Sequence, residues 1–350
     1  MHRPQPRWGN LLSLAPMHRE LTLIIAIPDD YHGVVPTLQC YKLLEGHDVR
    51  VFRDAAPSFE RTVSNLRDAE IIVPIRERTQ FTREVIAELP RLRMFSQTGR
   101  STHHIDVAAC TERGIVVAAG THASPYTVSE QTWALILASL RRIPEEAALM
   151  KRGEWRNTLS LGLYGRTLGV FGLGKIGSLV AATGASFGMK VIAWGQEGTR
   201  KAAARAGYEM AGSQRQLFER SDILCLCVRL IPETRGIVSA ADLAAMKTDS
   251  LLVNTARAEL IAPGVLEHAL SEGHPGFAAV DVYADEPVLR GDHPLLQLPN
   301  ALCTSHSAWL EHRTYELYFG EAFENAAAFA SGRPQKLVNP EVKDKLAKIS

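Results

Sequence analysis

Three polar residues of this chain stand at the ends of apolar runs, and their types are complementary. Arg257 follows "SLLVNTA", Glu286 follows "FAAVDVY", and His306 follows "ALC" within "TSHSAW". A neutral imidazole can take a hydroxyl proton near pH 7 and give it back. A carboxylate beside it favours the protonated ring and fixes its orientation. A guanidinium matches a carboxylate and polarises a keto oxygen. These are the groups that hydride exchange at the hydroxyl carbon of a 2-hydroxy acid requires. Each also has a plainer reading. A histidine in a chain with twelve of them can be structural, Glu286 can cap a loop before Pro287, and Arg257 can pair with a surface acid.

For the three to act together, the runs that carry them must be strands of one sheet. In an open α/β sheet, ligands bind beyond the carboxyl ends of the strands. Two series of such runs exist. The first is "LTLIIAI" (21–27), "DVRVF" (48–52), "EIIVPI" (70–75), "RMFSQTG" (93–99) and "GIVVAAG" (114–120). The second is "TLGVFGLG" (167–174), "KVIAWG" (190–195), "DILCLCV" (222–228), "SLLVNTA" (250–256), "FAAVDVY" (277–283) and "ALCTSH" (301–306). Each is nearly continuous in apolar residues, as strands buried on both faces of a parallel sheet are. Helical patterns separate them, among them a long segment from 124 to 155. Two βα series predict an α/β chain with two doubly wound parallel-sheet domains. The last helical stretch, "EHRTYELYFGEAFENAAAFASG", follows the second series and is free to pack back on the first.

The first strand of the second series ends in "VFGLGKIG", which places Gly172, Gly174 and Gly177 in G-x-G-x-x-G spacing before a helical pattern. Tight turn, backbone approach to a pyrophosphate and close helix–strand packing each call for one of these glycines. The helix start at Lys175 and Ile176 then offers N–H groups and partial positive charge to phosphates. Ile176, Leu179, Val180 and Phe187 fall along one face of that helix. A ribose-binding acid is expected about 20 residues on, but Gly195 stands there. Glu197 could reach the ribose, favouring NAD; Arg200 and Lys201 could hold a 2′-phosphate, favouring NADP. All three also read as solvated loop charges.

At 350 residues, with 46% hydrophobic and 22% charged residues and net charge +1, the composition is that of an ordinary globular protein without a nucleic-acid-binding face. No apolar run approaches the roughly 20 residues of a membrane span. The opening 20 residues read as a loose polar tail rather than a signal. Five cysteines fit no metal pattern; Cys225 and Cys227 share a strand face but lack a second ligand pair. No metal is expected, and reduced thiols suit a cytoplasmic protein.

The motifs "GRTLGVFGLGKIG", "SDILCLCVRLIPETRGIV", "MKTDSLLVNTARAELI", "AAVDVYADEPV", "HPLLQLPNALCTSHSAW" and "TVSEQTWALILASLRR" occur in one order. From about residue 70 to 340 the chain resembles the D-isomer-specific 2-hydroxyacid dehydrogenases, which include D-3-phosphoglycerate dehydrogenase and the glyoxylate/hydroxypyruvate reductases. The resemblance implies a flavodoxin-like substrate domain, 20–124 with 307–340, and a Rossmann NAD(P)-binding domain, 125–306. It implies Arg257 for substrate binding, Glu286 as partner of the histidine, and His306 as acid/base. Asp281 matches an aspartate near the nicotinamide carboxamide. The loops "IRERT" and "TGRSTHHID" match segments that hold the substrate carboxylate, so Arg76 and the N–H groups of Arg100 and Ser101 are candidates. Arg76 and Arg78 resemble arginines that serve phosphorylated substrates, and a solvated charge pair is the plainer account. A homodimer through the nucleotide-binding domains, with part of 125–160 at the interface, is also implied.

Departures from the family pattern are Ser101 for a common glycine, Arg229 for a proline, Ser305 for a proline, and the stretch "TARAELIAPGVL", which apart from Glu259 lacks the acidic residues usual after Arg257. None removes a catalytic group. A formate-oxidising branch resembles a pattern with glutamine at the Glu286 position, so the carboxylate argues against it. A branch of nucleotide-sensing corepressors keeps the same triad, and a binding protein without turnover stays as the alternative. Those proteins carry long recruiting tails.

Overall fold

The continuous apolar runs form strands whose successive side chains enter opposite cores. In the computed structural model, which describes residues 22–54, 56, 58–122, 124–155 and 159–343, Ile223 and Cys225 face one hydrophobic cluster while Leu224 and Leu226 face another. Leu251 and Val253 alternate with Leu252 in the same way. The expected N-terminal tail lies outside the described residues.

The chain divides into two units, one of residues 1–122 with 316–350 and one of residues 123–315. The first contains β1 (Ile24–Ile27), β2 (Asp48–Val51), β3 (Ile71–Ile72), β4 (Met94–Gln97) and β5 (Val116–Ala119). They form a parallel sheet in the order β2-β1-β3-β4-β5, the flavodoxin-like order. The second contains β6 (Thr167–Phe171), β7 (Lys190–Trp194), β8 (Glu209–Met210), β9 (Ile223–Leu226), β10 (Leu251–Asn254), β11 (Phe277–Val280) and β12 (Ala301–Cys303). Their order is β12-β11-β10-β9-β6-β7-β8, again parallel throughout. The winding reverses between β6 and β9, which is where a doubly wound sheet opens a crevice. All the apolar runs read from the sequence are strands; the two-residue β8 carries no pattern and was not anticipated.

One helical expectation is sharpened and another needs correction. The long helical segment 124–155 consists of two helices, Tyr126–Leu140 and Ile143–Lys151. Pro144 lacks an N–H and crowds the residues before it, and Arg142 turns through φ 55° at the break. Phe187 is not on the buried face of the helix after the glycine loop. That helix ends at Ser186, and Phe187 is 41% exposed beyond it, its ring 5.1 Å from that of Trp133. The buried face is instead Gly177, Val180, Ala181 and Gly184. Small residues there let the helix lie close to the sheet.

Candidate active site

The three strand-end residues follow β10, β11 and β12, which are consecutive neighbours in one sheet. Two of them meet. His306 Nδ1 lies 2.6 Å from Glu286 Oε2, with side chains 29% and 32% exposed. An ionised carboxylate can only accept, so Nδ1 carries the proton and Nε2 is left for chemistry. Glu286 is itself fixed, because its Oε1 accepts from the backbone N–H of Tyr283 at 2.9 Å. Arg257 is half-buried at the start of a short turn, Ala258–Leu260. Its backbone oxygen accepts from Asn254 Nδ2 at 2.9 Å and its guanidinium donates to Ala256 O at 2.7 Å.

His306 has φ 52°, a left-handed conformation that a non-glycine residue holds only when its surroundings enforce it. Asp281 enforces it. This fully buried carboxylate accepts from the N–H groups of Ser307 at 2.9 Å and Ala308 at 2.8 Å, and from the hydroxyl of Thr304. It thus grips the chain on both sides of the histidine. Gln131, on the helix Tyr126–Leu140, donates to Ser307 Oγ at 3.2 Å and extends the support. Neither role was legible beforehand, although a buried aspartate at a strand end does demand donors.

At the glycine loop, the helix Lys175–Ser186 has Gly174 as its N-cap, and no described side chain caps it. Its first N–H groups, those of Lys175 and Ile176 among them, therefore remain for an anion. A Cβ at Gly174 would meet nothing within 4 Å, whereas one at Gly177 would run into the Gly172 carbonyl oxygen. Gly172 turns through φ 97°. The loop is thus tightly packed inward and open outward, as a pyrophosphate cradle must be.

Gly195 has a reason to lack a side chain. A Cβ there would lie 2.6 Å from Thr199 Oγ1, and that hydroxyl accepts from the loop N–H of Leu173 at 3.2 Å. Thr199 braces the glycine loop from the space that an acid at 195 would need. Glu197 lies at the exposed start of the helix Glu197–Ala206 and pairs with Lys201 at 3.6 Å. Arg200 is on the same turn.

In the other unit, Arg76 also holds a left-handed φ, 55°. Its N–H donates to Thr98 Oγ1 at 2.8 Å, and its carbonyl accepts from Gln97 Nε2 at 3.1 Å. Arg78 turns to a different place, donating to Asp29 O at 2.5 Å with its guanidinium 4.5 Å from the Tyr31 ring centroid. Arg100 is exposed; Ser101 Oγ lies 2.6 Å from His103 Nδ1. His104 is buried, and burial lowers its pKa to about 4, so its ring is neutral. The thiols of Cys110 and Cys227 are pushed up to about 12 by burial and stay protonated at neutral pH.

Comparison with known proteins agrees with this architecture. Residues 133–308 match the family model described as D-isomer specific 2-hydroxyacid dehydrogenase, NAD binding domain. The chain is 34% identical to a glyoxylate reductase of Aeropyrum pernix, over 85% of this chain and 91% of that one. It is 39% identical to a D-3-phosphoglycerate dehydrogenase of Methanocaldococcus jannaschii over 71% of its length, yet spans only about half, 47%, of that protein. A crystal structure of a phosphoglycerate oxidoreductase from Vibrio cholerae is 44% identical, with a TM-score of 0.86 and coverage of 89% of this chain and 100% of that one. With the glycine cradle and the paired strand ends, these matches show that the chain belongs to the D-isomer-specific 2-hydroxyacid dehydrogenase family and carries its NAD-binding domain.

Proposed function

We propose that this protein interconverts a small 2-keto acid and its D-2-hydroxy acid, of the glyoxylate, hydroxypyruvate or 3-phosphoglycerate type. The carrying observation is the His306–Glu286 pair, 2.6 Å apart at neighbouring strand ends of an NAD-binding sheet. Bound NADH supplies the hydride for reduction, and NAD accepts it in the reverse direction. His306 Nε2 gives a proton to the keto oxygen as it gains charge, or takes it from the hydroxyl. Glu286 orients the ring and offsets the imidazolium charge. Arg257 binds the substrate carboxylate and polarises the carbonyl. Arg76 and the N–H groups of Arg100 and Ser101 are assigned to the substrate carboxylate. Gly172, Gly174, Lys175, Ile176 and Gly177 would receive the pyrophosphate, and Asp281, buried beneath the His306 turn, would serve the nicotinamide carboxamide side of the site through the turn it fixes.

Glu197 is assigned to the ribose hydroxyls, which makes NAD the preferred coenzyme over NADP. The described residues contain no helix long and apolar enough to cross a membrane. A cytoplasmic homodimer completes the reading. Trp155, Leu159 and Tyr164, 86%, 97% and 89% exposed, are the apolar surface that supports the second copy. Light scattering that returned the mass of a single chain would remove the dimer.

The test is a panel of initial rates with NADH and NADPH against glyoxylate, pyruvate, hydroxypyruvate and phosphohydroxypyruvate. His306→Gln is run beside the wild type. Turnover with at least one acid, falling by about 10³-fold in the variant at unchanged NADH affinity, is the expected result. A variant as fast as the wild type would sink the proton-transfer role. NADH binding without turnover of any acid would favour the nucleotide-sensing alternative.

A further inference from the structure

Glu321 is a carboxylate from the last helix, His312–Ala330, that is 6% exposed and makes five hydrogen bonds to three other residues. Its Oε2 accepts from the N–H groups of Thr121 at 2.9 Å and His122 at 3.0 Å. Its Oε1 accepts from Thr121 Oγ1, Lys336 Nζ and the His122 ring, each at 2.8 Å. Burial opposes the charge, but these donors outweigh it and hold the carboxyl down at about 2. A buried carboxylate so fully saturated fixes the backbone it grips.

That backbone leads directly to the loop assigned to the substrate. Gly120, the residue before Thr121, donates its N–H to Gly99 O at 2.8 Å. A side chain at Gly120 would sit 2.8 Å from Glu321 Oε2 and 3.3 Å from Gly99 Cα, so the three are stacked without room between them. Gly99 is followed by Arg100 and Ser101. On its other side, a Cβ at Gly99 would strike the guanidinium of Arg76. That guanidinium lies 5.3 Å from the ring centroid of Tyr318, within range of a cation–π contact. Tyr318 and Glu321 are three apart in sequence and so share one helix face.

We propose that Tyr318 and Glu321 are positioning residues for substrate binding. From one face of the last helix, Tyr318 sets the Arg76 guanidinium and Glu321 sets, through Thr121 and Gly120, the loop Gly99–Ser101. The inference rests on the reading that Arg76 and this loop hold the substrate carboxylate. Neither side chain touches substrate; each acts through the group it supports. A binding loop displaced by about 1 Å loses much of its hold on a small anion, while the proton transfer at His306 is untouched.

The experiment compares Glu321→Gln, Tyr318→Leu and Tyr318→Phe in full-length protein. The carboxamide turns an N–H toward donors that need an acceptor, leucine removes the ring, and phenylalanine keeps it. Expected for Glu321→Gln and Tyr318→Leu is a rise of about tenfold in keto-acid KM, with kcat within about threefold of wild type and NADH affinity unchanged. Tyr318→Phe should restore the wild-type KM, which a general packing role for the hydroxyl would not do. Amide hydrogen exchange of Gly99–Ser101 in the free protein should quicken in Glu321→Gln by about tenfold or more. Unchanged KM in both Glu321→Gln and Tyr318→Leu overturns the proposal. If the wild type turns over no keto acid, the functional reading has failed instead, and exchange alone then decides. Unaltered exchange at Gly99–Ser101 would show that Glu321 does not hold the loop.

Discussion

The turn that carries His306 and the turn that carries Arg76 solve one problem with different chemistry. Both place a non-glycine residue in the left-handed region, at φ 52° and φ 55°. At His306 a buried carboxylate, Asp281, grips the two following N–H groups. At Arg76 neutral groups do the work, a Thr98 hydroxyl on the N–H and a Gln97 amide on the carbonyl. A charged acceptor makes hydrogen bonds roughly twice as strong as a neutral one. The proton-transfer turn is therefore held more firmly than the binding turn. That suits the tasks: proton transfer demands narrow geometry, while a bound anion tolerates adjustment.

The contrast can be broken by removing each clamp. Asp281→Asn replaces an acceptor by an amide that offers donors to donors. We expect kcat to fall by about 10²-fold, since the imidazole loses its fixed approach. Thr98→Val keeps the volume of a fully buried side chain while removing the acceptor for the Arg76 N–H. It should raise keto-acid KM only about threefold and cost about 1–2 kcal/mol of stability. Steady-state rates and urea midpoints of both variants check the pair. If Thr98→Val cuts kcat as deeply as Asp281→Asn, the two turns do not differ in the way proposed.

The same contrast explains what the sequence made legible. The strand ends were readable because parallel strands buried on both faces are continuous apolar runs, and a polar residue just after one stands out. Arg257, Glu286 and His306 are visible that way, and the glycine loop is a local pattern. The NAD-binding family assignment followed from motifs of the same kind. What could not be read is support that comes from afar. Asp281 is 26 and 27 residues from the N–H groups it binds, and Glu321 is 200 residues from Thr121. No periodicity joins such pairs. Thr199 filling the space beside Gly195 is a third case, since an empty position carries no sign of what occupies it. The break at Arg142 was different: Pro144 announces it, and the helical composition around it obscured the signal.

The smallest effect expected is on acid stability, and it separates the Glu321 network from an ordinary ion pair. Its carboxyl has a folded-state value of about 2, against an ordinary value of 4.5. A depressed folded pKa contributes stability that is complete above the unfolded value and is lost as pH falls through the folded one. The window is therefore about pH 4.5 down to 2, and the whole contribution is about 3 kcal/mol. Glu321→Gln cannot gain or lose that proton. The stability gap between wild type and Glu321→Gln, read from urea midpoints, should be widest above pH 4.5 and close by about 3 kcal/mol at the acid end. A gap that stayed constant over that range would mean the carboxylate is no better held in the folded chain than in the unfolded one. The five hydrogen bonds would then be contacts without consequence, and the charge-based clamp would be confined to the His306 turn.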